Sequence, residues 1–393
     1  ETEEYIKYME YTYPDYYKKF KCIGGECEDN CCAAGWQITI DDESLEKYET
    51  MEGEIGVRLR NSIDWENGMF EQFEHKCALL NENGLCDVYC DAGEDKMCIL
   101  CQRYPRHYEE FENVREISLS VSCPEAAKIV LGNRGKVGFY TETDEEEEEY
   151  EDFDYLMYTK LLDIREILLD VLHERKGSVA HRISKLLDIV HGIQGLIDND
   201  EIFGIDEQEQ RALTEQINYR RYTGKMKLRQ EYMAEMMQNL HRLEVLRPTW
   251  TDFIREVQSI LYVYLDAEEY GKLCEEFDSF YGERMQEYEQ LMSYFIYTYF
   301  CGAVYDYEVE SKLRFGIAAV LIIHEMDMAM WYKNKDLTFE EQVGLVHNYS
   351  MEIEHSDLNL DDMERMVMNN KAFGYRRLLT VLMNWKENSD EEK

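Results

Sequence analysis

The sequence predicts a mainly α-helical protein, in which a cysteine-rich N-terminal domain of loops and few helices precedes an α-helical bundle domain. Three observations support this fold class. Only 4 prolines and 22 glycines occur among 393 residues, so few tight turns are expected. Apolar residues recur at helical spacing through most of the chain after residue 155, as amphipathic helices require. Ten of the twelve cysteines lie before residue 124, which sets the first third apart chemically.

Composition and charge narrow the range of partners. Hydrophobic residues make up 45% of the chain, enough for a large buried core at this length. There are 42 basic residues against 83 acidic ones, which gives a net charge of −41. Such a surface repels phosphates, so no nucleic acid is expected as a partner, whereas a basic protein is easier to accommodate. The same acidity is also typical of a protein that is merely kept soluble by its charge.

No segment has the pattern of a membrane span or an export signal. The uncharged stretches at 291–305 and 315–323 are shorter than the ~20 residues that a membrane-spanning helix needs, so they are interpreted as buried helices. The N-terminal sequence ETEEYIKYME is acidic and lacks the basic-then-apolar order of a signal peptide. We therefore expect a cytoplasmic protein with no membrane partner.

Three regions are expected along the chain: a cysteine-rich domain at 1–135, an acidic linker at 136–154 and the helical domain at 155–393. The stretch TETDEEEEEYEDFD at 141–154 has ten acidic residues and no basic one, a run too self-repelling to pack. In the first region, residues 41–63 are predicted to be helical. After the linker, a helix is predicted from Tyr155 to a stop at Gly177. Further amphipathic segments are predicted at about 180–197, 207–243, 250–265, 268–288, 290–305, 311–332, 338–350 and 360–386.

The cysteines occur in short clusters: C-x4-C-x3-C-C from Cys22, CALLNENGLC from Cys77, CILCQRYP from Cys98, and SCPE around Cys123. Clusters separated by tens of residues are typical of a metal site built from several loops. Disulfides are the alternative, but adjacent cysteines rarely pair and a cytosolic chain keeps its thiols reduced. The spacing Cys98-x2-Cys101 suits zinc and iron equally. The first domain is therefore predicted to bind metal, with the identity of the metal left open.

These segments carry a resemblance to a known family. YPDYYKKFKCIGGECEDNCCAAGWQITID at 13–41, together with NENGLCDVY, MCILCQRYPRHYEEF and Cys123, resembles the flagellin lysine-N-methylase family (FliB-like). The pieces also resemble other cysteine-rich zinc- or iron-chelating domain proteins. The family implies transfer of methyl groups from S-adenosylmethionine to lysine ε-amines of flagellin. It further implies an iron-sulfur cluster, of the 4Fe-4S type, with zinc as the alternative occupant.

The same resemblance implies which cysteines are metal ligands. Cys90 falls outside the family pattern, and Cys274 and Cys301 lie in helical segments, where a small buried hydrophobic role is expected. Nine thiols exceed one tetrahedral set, so either one cluster uses four of them or two metal sites exist. The implied ligands are Cys22, Cys27, Cys31, Cys32, Cys77, Cys86, Cys98, Cys101 and Cys123.

The sequence assigns neither catalytic residues nor a cofactor pocket. There is no G-x-G-x-x-G after a strand, so any S-adenosylmethionine site is expected to be of a non-Rossmann kind, between the two domains or at an open iron. Tyr294, Tyr297 and Tyr299 are interpreted as a core helix face or as a methylammonium cage. His324-Glu325 begins a zinc motif that Met328 does not complete. Trp36, Arg103, Arg106 and His107 are expected to line the metal domain, where an arginine also suits a carboxylate.

Two other functions remain open. The chain is also consistent with a non-enzymatic helical module, stapled by zinc or iron, that binds a basic protein. A third hypothesis is an electron-transfer or redox-sensing protein, which needs a cluster that changes oxidation state reversibly.

Overall fold

A computed structural model describes residues 8–144, 153–204 and 219–385 of the protein. Its architecture is mainly helical, as predicted. The helices of the first third are short: α1 (Asp42–Thr50), α2 (Gly53–Asn61), α3 (Asp87–Asp91), α4 (Ile99–Arg103) and α5 (Pro124–Leu131). The later helices are α6 (Tyr155–His173), α7 (Val179–Asp198), α8 (Met226–Asn239), α9 (Pro248–Gln258), α10 (Ala267–Tyr281), α11 (Gln286–Tyr299), α12 (Val309–Asn334), α13 (Phe339–Ile353), α14 (Asp357–Asn369) and α15 (Tyr375–Leu382).

Local signals explain where these helices begin and end. Asp266 and Thr338 each form a capping box with the glutamate three residues later, at the starts of α10 and α13, which satisfies otherwise unpaired backbone N–H groups. Gly177, at φ +74°, lies between α6 and α7, where the sequence predicts the stop. A π-helical turn over Ser259–Val263 follows α9 directly.

Three predicted helical segments differ from the structure. Residues 41–63 form two helices because the chain is extended at Met51 and Glu52, after which α2 begins at Gly53 with φ +82°. Residues 360–386 are divided between α14 and α15 by the extended residues Asn370 and Gly374. In the segment at 207–243, α8 covers Met226–Asn239, while residues 205–218 lie outside the described ranges.

The first third also contains a four-stranded sheet that the sequence does not predict. Its strands are β1 (Met9–Pro14), β6 (Arg106–Phe111), β7 (Val114–Leu119) and β8 (Phe139–Asp144), in the order β6-β7-β1-β8. β6 and β7 form a hairpin, β1 runs parallel to β7, and β8 runs antiparallel to β1 with Tyr11 opposite Glu142. Two small two-stranded ladders join β2 (Ile63–Asp64) to β3 (Met69–Phe70) and β4 (Gln72–Phe73) to β5 (Lys76–Cys77).

Strand β8 lies in the region expected to be a linker. Residues 139–144 pair with β1 along its whole length, so the first four residues of the acidic stretch, 141–144, belong to an ordered edge strand with mostly exposed side chains. Residues 145–152, which hold the densest acidic run, lie outside the described residues.

Two hydrophobic cores organise the molecule. The larger core combines helices α6 to α15 with part of the first third, including Tyr16, Phe111, Leu119 and α5. The smaller core is built from residues between Ile38 and Cys101. The larger core therefore includes residues on both sides of the region 136–154.

The central helix of the larger core is α12, which is buried on nearly all sides from Val309 to Ala329, as a helix that is apolar around its circumference must be. It contains the uncharged stretch at 315–323, and α11 contains most of that at 291–305; both pack in the larger core. In the described ranges, no helix combines the length and apolar character that crossing a bilayer requires.

Candidate functional site

The smaller core gathers five of the nine predicted ligand cysteines, which we call the second thiol group. Two of them are buried inside this core and three pack against it. The ladder β4–β5 ends at Cys77, and a bridge between Leu80 and Cys86 closes the loop that follows. Cys98 is the N-cap of α4, with Cys101 one turn later. The second thiol group consists of Cys32, Cys77, Cys86, Cys98 and Cys101.

Contacts between these thiols change their acidity. Cys98 and Cys101 are in side-chain hydrogen-bond contact, which lowers the pKa of Cys98 and raises that of Cys101. Burial raises the pKa of Cys77 to about 11, and the charges of Cys86 and Cys98 add to this effect.

The other four predicted ligands form the first thiol group: Cys22, Cys27, Cys31 and Cys123. Burial is the main cause that raises the pKa of Cys123 to about 11, and the charges of nearby Cys27 and Cys22 contribute to this value. The pKa of Cys27 is raised by burial and also by the charges of Cys31 and Cys22. The adjacent pair connects the groups, because the Cys31 thiol contacts that of Cys32, which lowers the pKa of Cys31 to about 7.

The thiols of the described residues are not arranged as a formed metal centre. Over the described ranges, no three histidine, cysteine, aspartate or glutamate side chains are placed to hold one metal ion. All twelve cysteines are described, and none forms a disulfide. The donors fit a thiophilic metal in type and come together in contacting pairs, so they match the predicted occupants chemically. Cys90 is exposed, and Cys274 and Cys301 are buried in the larger core, as predicted.

A junction of aromatic rings and histidines connects the cysteine-bearing loops to the helical core. The indole of Trp36 stacks on the ring of His355 with centroids 4.3 Å apart, and Tyr104 meets Trp36 edge-on at 4.9 Å. His355 Nε2 lies 2.5 Å from Ser122 Oγ, next to Cys123. The first thiol group therefore lies beside this junction, and the charges of Cys123, Cys31 and Cys27 all act on Tyr104.

A second connection crosses the same junction through His347. Its Nδ1 lies 2.6 Å from the carbonyl oxygen of Ser122, and its Nε2 lies 2.5 Å from Asp29 Oδ2. Arg247 Nη1 approaches the same Asp29 oxygen at 3.6 Å. The hydrogen bond to His347 is the main reason that the pKa of Asp29 is lowered. Residue Asp29 lies between Cys27 and Cys31, so this contact holds the first thiol group against α13.

Glu354, directly after α13, is a partly exposed carboxylate at this junction. Its Oε2 accepts hydrogen bonds from Tyr294 Oη at 2.6 Å and Tyr299 Oη at 2.5 Å. Its Oε1 is buried and makes no hydrogen bond of normal geometry. Burial raises the pKa of Glu354 although the tyrosine hydrogen bonds partly oppose this. His107 lies close enough for its charge to act on Glu354.

The residues expected near the metal domain have diverse roles. Trp36 is in the junction, and His107 Nε2 contacts Glu109 at 2.6 Å. Arg103 lies over the ring of Tyr108 at 4.5 Å. Arg106 donates to Tyr17 Oη at 2.9 Å, so neither arginine forms an ion pair with a carboxylate of the described chain.

The tyrosines interpreted as a core face or a cage separate into two sets. Tyr297 is a core residue that donates to the carbonyl of Thr12 and stacks on Phe139, whereas Tyr294 and Tyr299 share Glu354. His324 and Glu325 are fully buried and bind Asp278 and Arg229 respectively, so this pair belongs to the interior of the helical core.

Sequence reasoning missed the histidines and Glu354 of the junction. His347, Glu354 and His355 lie more than 200 residues from Asp29, Trp36 and Ser122, and nothing local in the sequence indicates the contact. The sequence offers one signal, a group of polar residues that follows the end of the apolar pattern of α13. At a helix terminus, such residues lie close together.

Comparison with known proteins identifies relatives of this chain. Residues 165–381, more than half of the chain, match the model of the FliB lysine N-methylase C-terminal domain. A protein named lysine-N-methylase from Salmonella typhimurium is 28% identical over 137 residues, which cover 33% of this chain and 34% of the relative. The flagellar biosynthetic protein FliU of Salmonella muenchen is also 28% identical over 137 residues, which cover 80% of that protein. The alignment thus spans about a third of the lysine-N-methylase. No solved structure matches.

Proposed function

Because the chain belongs to the FliB lysine N-methylase family, we propose that it is a protein lysine N-methyltransferase that uses S-adenosylmethionine and acts on flagellin. One observation carries this proposal. The part of the chain that matches the family supplies His347 and His355, which contact Asp29, Trp36 and Ser122 at the junction. This contact between the matched helices and the cysteine-bearing loops supports a common site for the two.

The proposed substrate is supported by charge and by the names of the relatives. A net charge of −41 attracts a lysine-bearing surface and raises the rate of encounter. One relative is named as a flagellar biosynthetic protein, and flagellin is the substrate that the sequence resemblance implies.

The proposed metal is an iron-sulfur cluster, with zinc as the alternative. The two thiol groups would hold it, because they supply nine thiol donors from loops that converge. Such a cluster supplies an electron-transfer centre or an open iron when it is bound. The chain's own contribution is to bring the ligand loops against α13 through Asp29 and His347.

The proposed cofactor site is the junction between the two cores. The sheet order β6-β7-β1-β8 is not a doubly wound nucleotide-binding arrangement. Two surface clefts of about 790 and 440 Å³ are lined by residues between 235 and 377, and neither includes a cysteine or a junction residue. The junction instead offers aromatic and polar groups next to the first thiol group.

The second candidate is a non-enzymatic binding module whose fold is stabilised by a bound metal. The smaller core comprises only ten buried residues, and a core of this size is commonly supplemented by a metal or by disulfides. In this alternative, the thiol groups serve folding, and the acidic surface binds a basic protein without modifying it.

One experiment separates the two candidates. The protein is purified anaerobically, its iron, sulfide and zinc are quantified, and it is incubated with the cognate flagellin and S-adenosylmethionine. The enzyme proposal expects the intact mass of flagellin to rise in steps of one methyl group. An unchanged flagellin mass, with metal-replete folded protein that binds flagellin, favours the module.

A further inference from the structure

The carboxylate of Glu354 differs from the other buried glutamates in what it faces. Five others each face an arginine, and Glu352 accepts two backbone N–H groups. Glu354 makes no ion pair with a lysine or arginine of the described chain. The five arginine-paired glutamates are Glu116, Glu287, Glu289, Glu310 and Glu325.

The two oxygens of Glu354 differ in their hydrogen bonds. Both tyrosine hydroxyls bind Oε2, while Oε1 is buried and makes no hydrogen bond of normal geometry; the Ser350 hydroxyl, which also has no partner of normal geometry, lies near this carboxylate. A buried acceptor without a hydrogen bond is unfavourable, so a donor that fits beside Oε1 is favoured. Oε1 itself is covered, but the residue as a whole is partly exposed, so a donor from another molecule reaches Oε1 after a small shift of this side chain. Asp327 also has an unpartnered oxygen, but it is fully buried and therefore closed to a substrate.

The surroundings of Oε1 favour a cation. Glu354 is the C-cap of α13, and the negative end of a helix dipole attracts positive charge. Tyrosine faces attract ammonium groups, methylated or not, and the ring of Tyr299 is beside the carboxylate that it binds. The ring of His107 lies 6.1 Å from that of Tyr299, and its charge, which also acts on Glu354, opposes a second cation. A lysine ε-ammonium combines these properties: it donates hydrogen bonds, carries a positive charge and has a long stem.

We propose that Glu354, held by Tyr294 and Tyr299, binds the ε-ammonium of the substrate lysine and accepts one proton from it. This inference rests on the proposed methyltransferase function. Loss of that proton frees the nitrogen lone pair, which forms the new N–C bond with the methyl group of a sulfonium donor. The C–S bond breaks, its electron pair remains on sulfur as a neutral thioether, and the product is a methylammonium. Since His355 follows Glu354 directly and stacks on Trp36, the lysine would lie beside the first thiol group.

Peptide binding tests the site without catalysis. Peptides that cover every lysine of the cognate flagellin are compared with peptides that carry norleucine, which lacks the ammonium, at each lysine. For the wild-type protein, at least one lysine peptide is expected to bind roughly tenfold or more tightly than its norleucine partner. Glu354→Gln should abolish this preference, and Tyr299→Phe should reduce it. Tyr297→Phe and Glu340→Gln are controls, since Tyr297 binds Thr12 and Glu340 is exposed at the start of α13.

The outcomes distinguish a failure of this inference from a failure of the proposed function on which it rests. If the wild-type protein methylates flagellin, and folded Glu354→Gln keeps both the lysine preference and the kcat, the acceptor site is wrong while the function stands. For a general base, kcat should fall about 100-fold or more in folded Glu354→Gln. If the wild-type protein methylates nothing, yet prefers lysine over norleucine through Glu354, the function fails and the cation site stands. Absence of any lysine preference in the wild-type protein overturns the site.

Discussion

Trp36 and His355 stack with their ring centroids 4.3 Å apart, and this contact joins the cysteine-bearing loops to the helical core. His355 is largely enclosed by Trp36, Tyr104 and Ser122. Burial lowers the pKa of His355 to about 4, and the positive charges of His347, Arg247 and His107 act in the same direction. The junction therefore holds its central histidine in the neutral form.

This contact predicts a loss of stability on acidification. An unfolded histidine titrates near 6.5, so the unfolded state binds the additional proton between pH 6.5 and about 4, and the folded state is fully favoured above this range. Lowering the pH from 7 to 5 should cost about 2 kcal/mol through His355 alone. Urea unfolding at both pH values should show this difference between the wild-type protein and His355→Gln. The exposed His75→Gln is the control, and an equal loss in all three proteins would contradict the prediction.

The buried pair of Arg229 and Glu325 predicts a large structural cost. Arg229 Nη2 lies 2.8 Å from Glu325 Oε1, and Tyr262 and Tyr270 also donate to this carboxylate. Glu325→Gln leaves the guanidinium buried without a counter-ion, which should lower the free energy of unfolding by about 3–5 kcal/mol. Glu256→Gln, which removes the exposed partner of Lys333, should cost at most about 1 kcal/mol. Chemical denaturation measures the free energy of unfolding of both variants. Similar losses in the two variants would contradict the prediction that breaking the buried ion pair is the more costly change.

Two helical glycines should respond oppositely to alanine. A Cβ at Gly316 on α12 would lie 2.8 Å from Phe295 Cβ and 3.3 Å from Met292 Cε on α11, so Gly316→Ala should destabilise by roughly 1–3 kcal/mol. A Cβ at Gly344 on α13 meets nothing within 4 Å. Gly344→Ala should therefore stabilise by about 0.4–1 kcal/mol through a less flexible unfolded chain. Thermal melts of the two variants, compared with the wild type, decide the sign of each effect.

The two thiol groups predict which cysteine substitutions lower the metal content of the protein. If the second thiol group binds metal, the double change Cys98→Ser and Cys101→Ser should remove the metal held there, because each thiolate is a direct ligand. Cys90→Ser should keep the wild-type content, since Cys90 is exposed and outside both groups. Elemental analysis with acid-labile sulfide gives the readout on folded protein. A metal content that is the same in both variants would exclude these two cysteines as ligands.

Helical periodicity in the sequence was sufficient to predict the helices of the larger core. The metal site expected from the cysteine spacing stays a prediction, since no three donor side chains of the described residues are placed to hold one metal ion. The sheet could not be predicted, because β1 pairs with strands that lie about 100 residues later and β8 carries acidic residues typical of a linker. β8 is an edge strand, so its side chains stay in water while its backbone is paired.

Only some residues of the candidate site could be predicted from the sequence. Trp36 and the cysteines stand out by residue type, whereas Glu354, His355 and His347 become recognisable only when packing brings α13 against the loop that holds Asp29. Cys31 belongs to the first thiol group and its neighbour Cys32 to the second. Which group each cysteine joins depends on the direction of its side chain, and sequence spacing does not contain this information.

The account depends most directly on transfer of a methyl group to flagellin. The anaerobically purified protein is incubated with cognate flagellin and S-adenosylmethionine that carries a deuterated methyl group, and the digested flagellin is sequenced by mass spectrometry. We expect the deuterated methyl group on lysine ε-amines, and its absence when the protein is omitted. Flagellin peptides that remain unlabelled in the presence of folded, metal-replete protein would contradict the account.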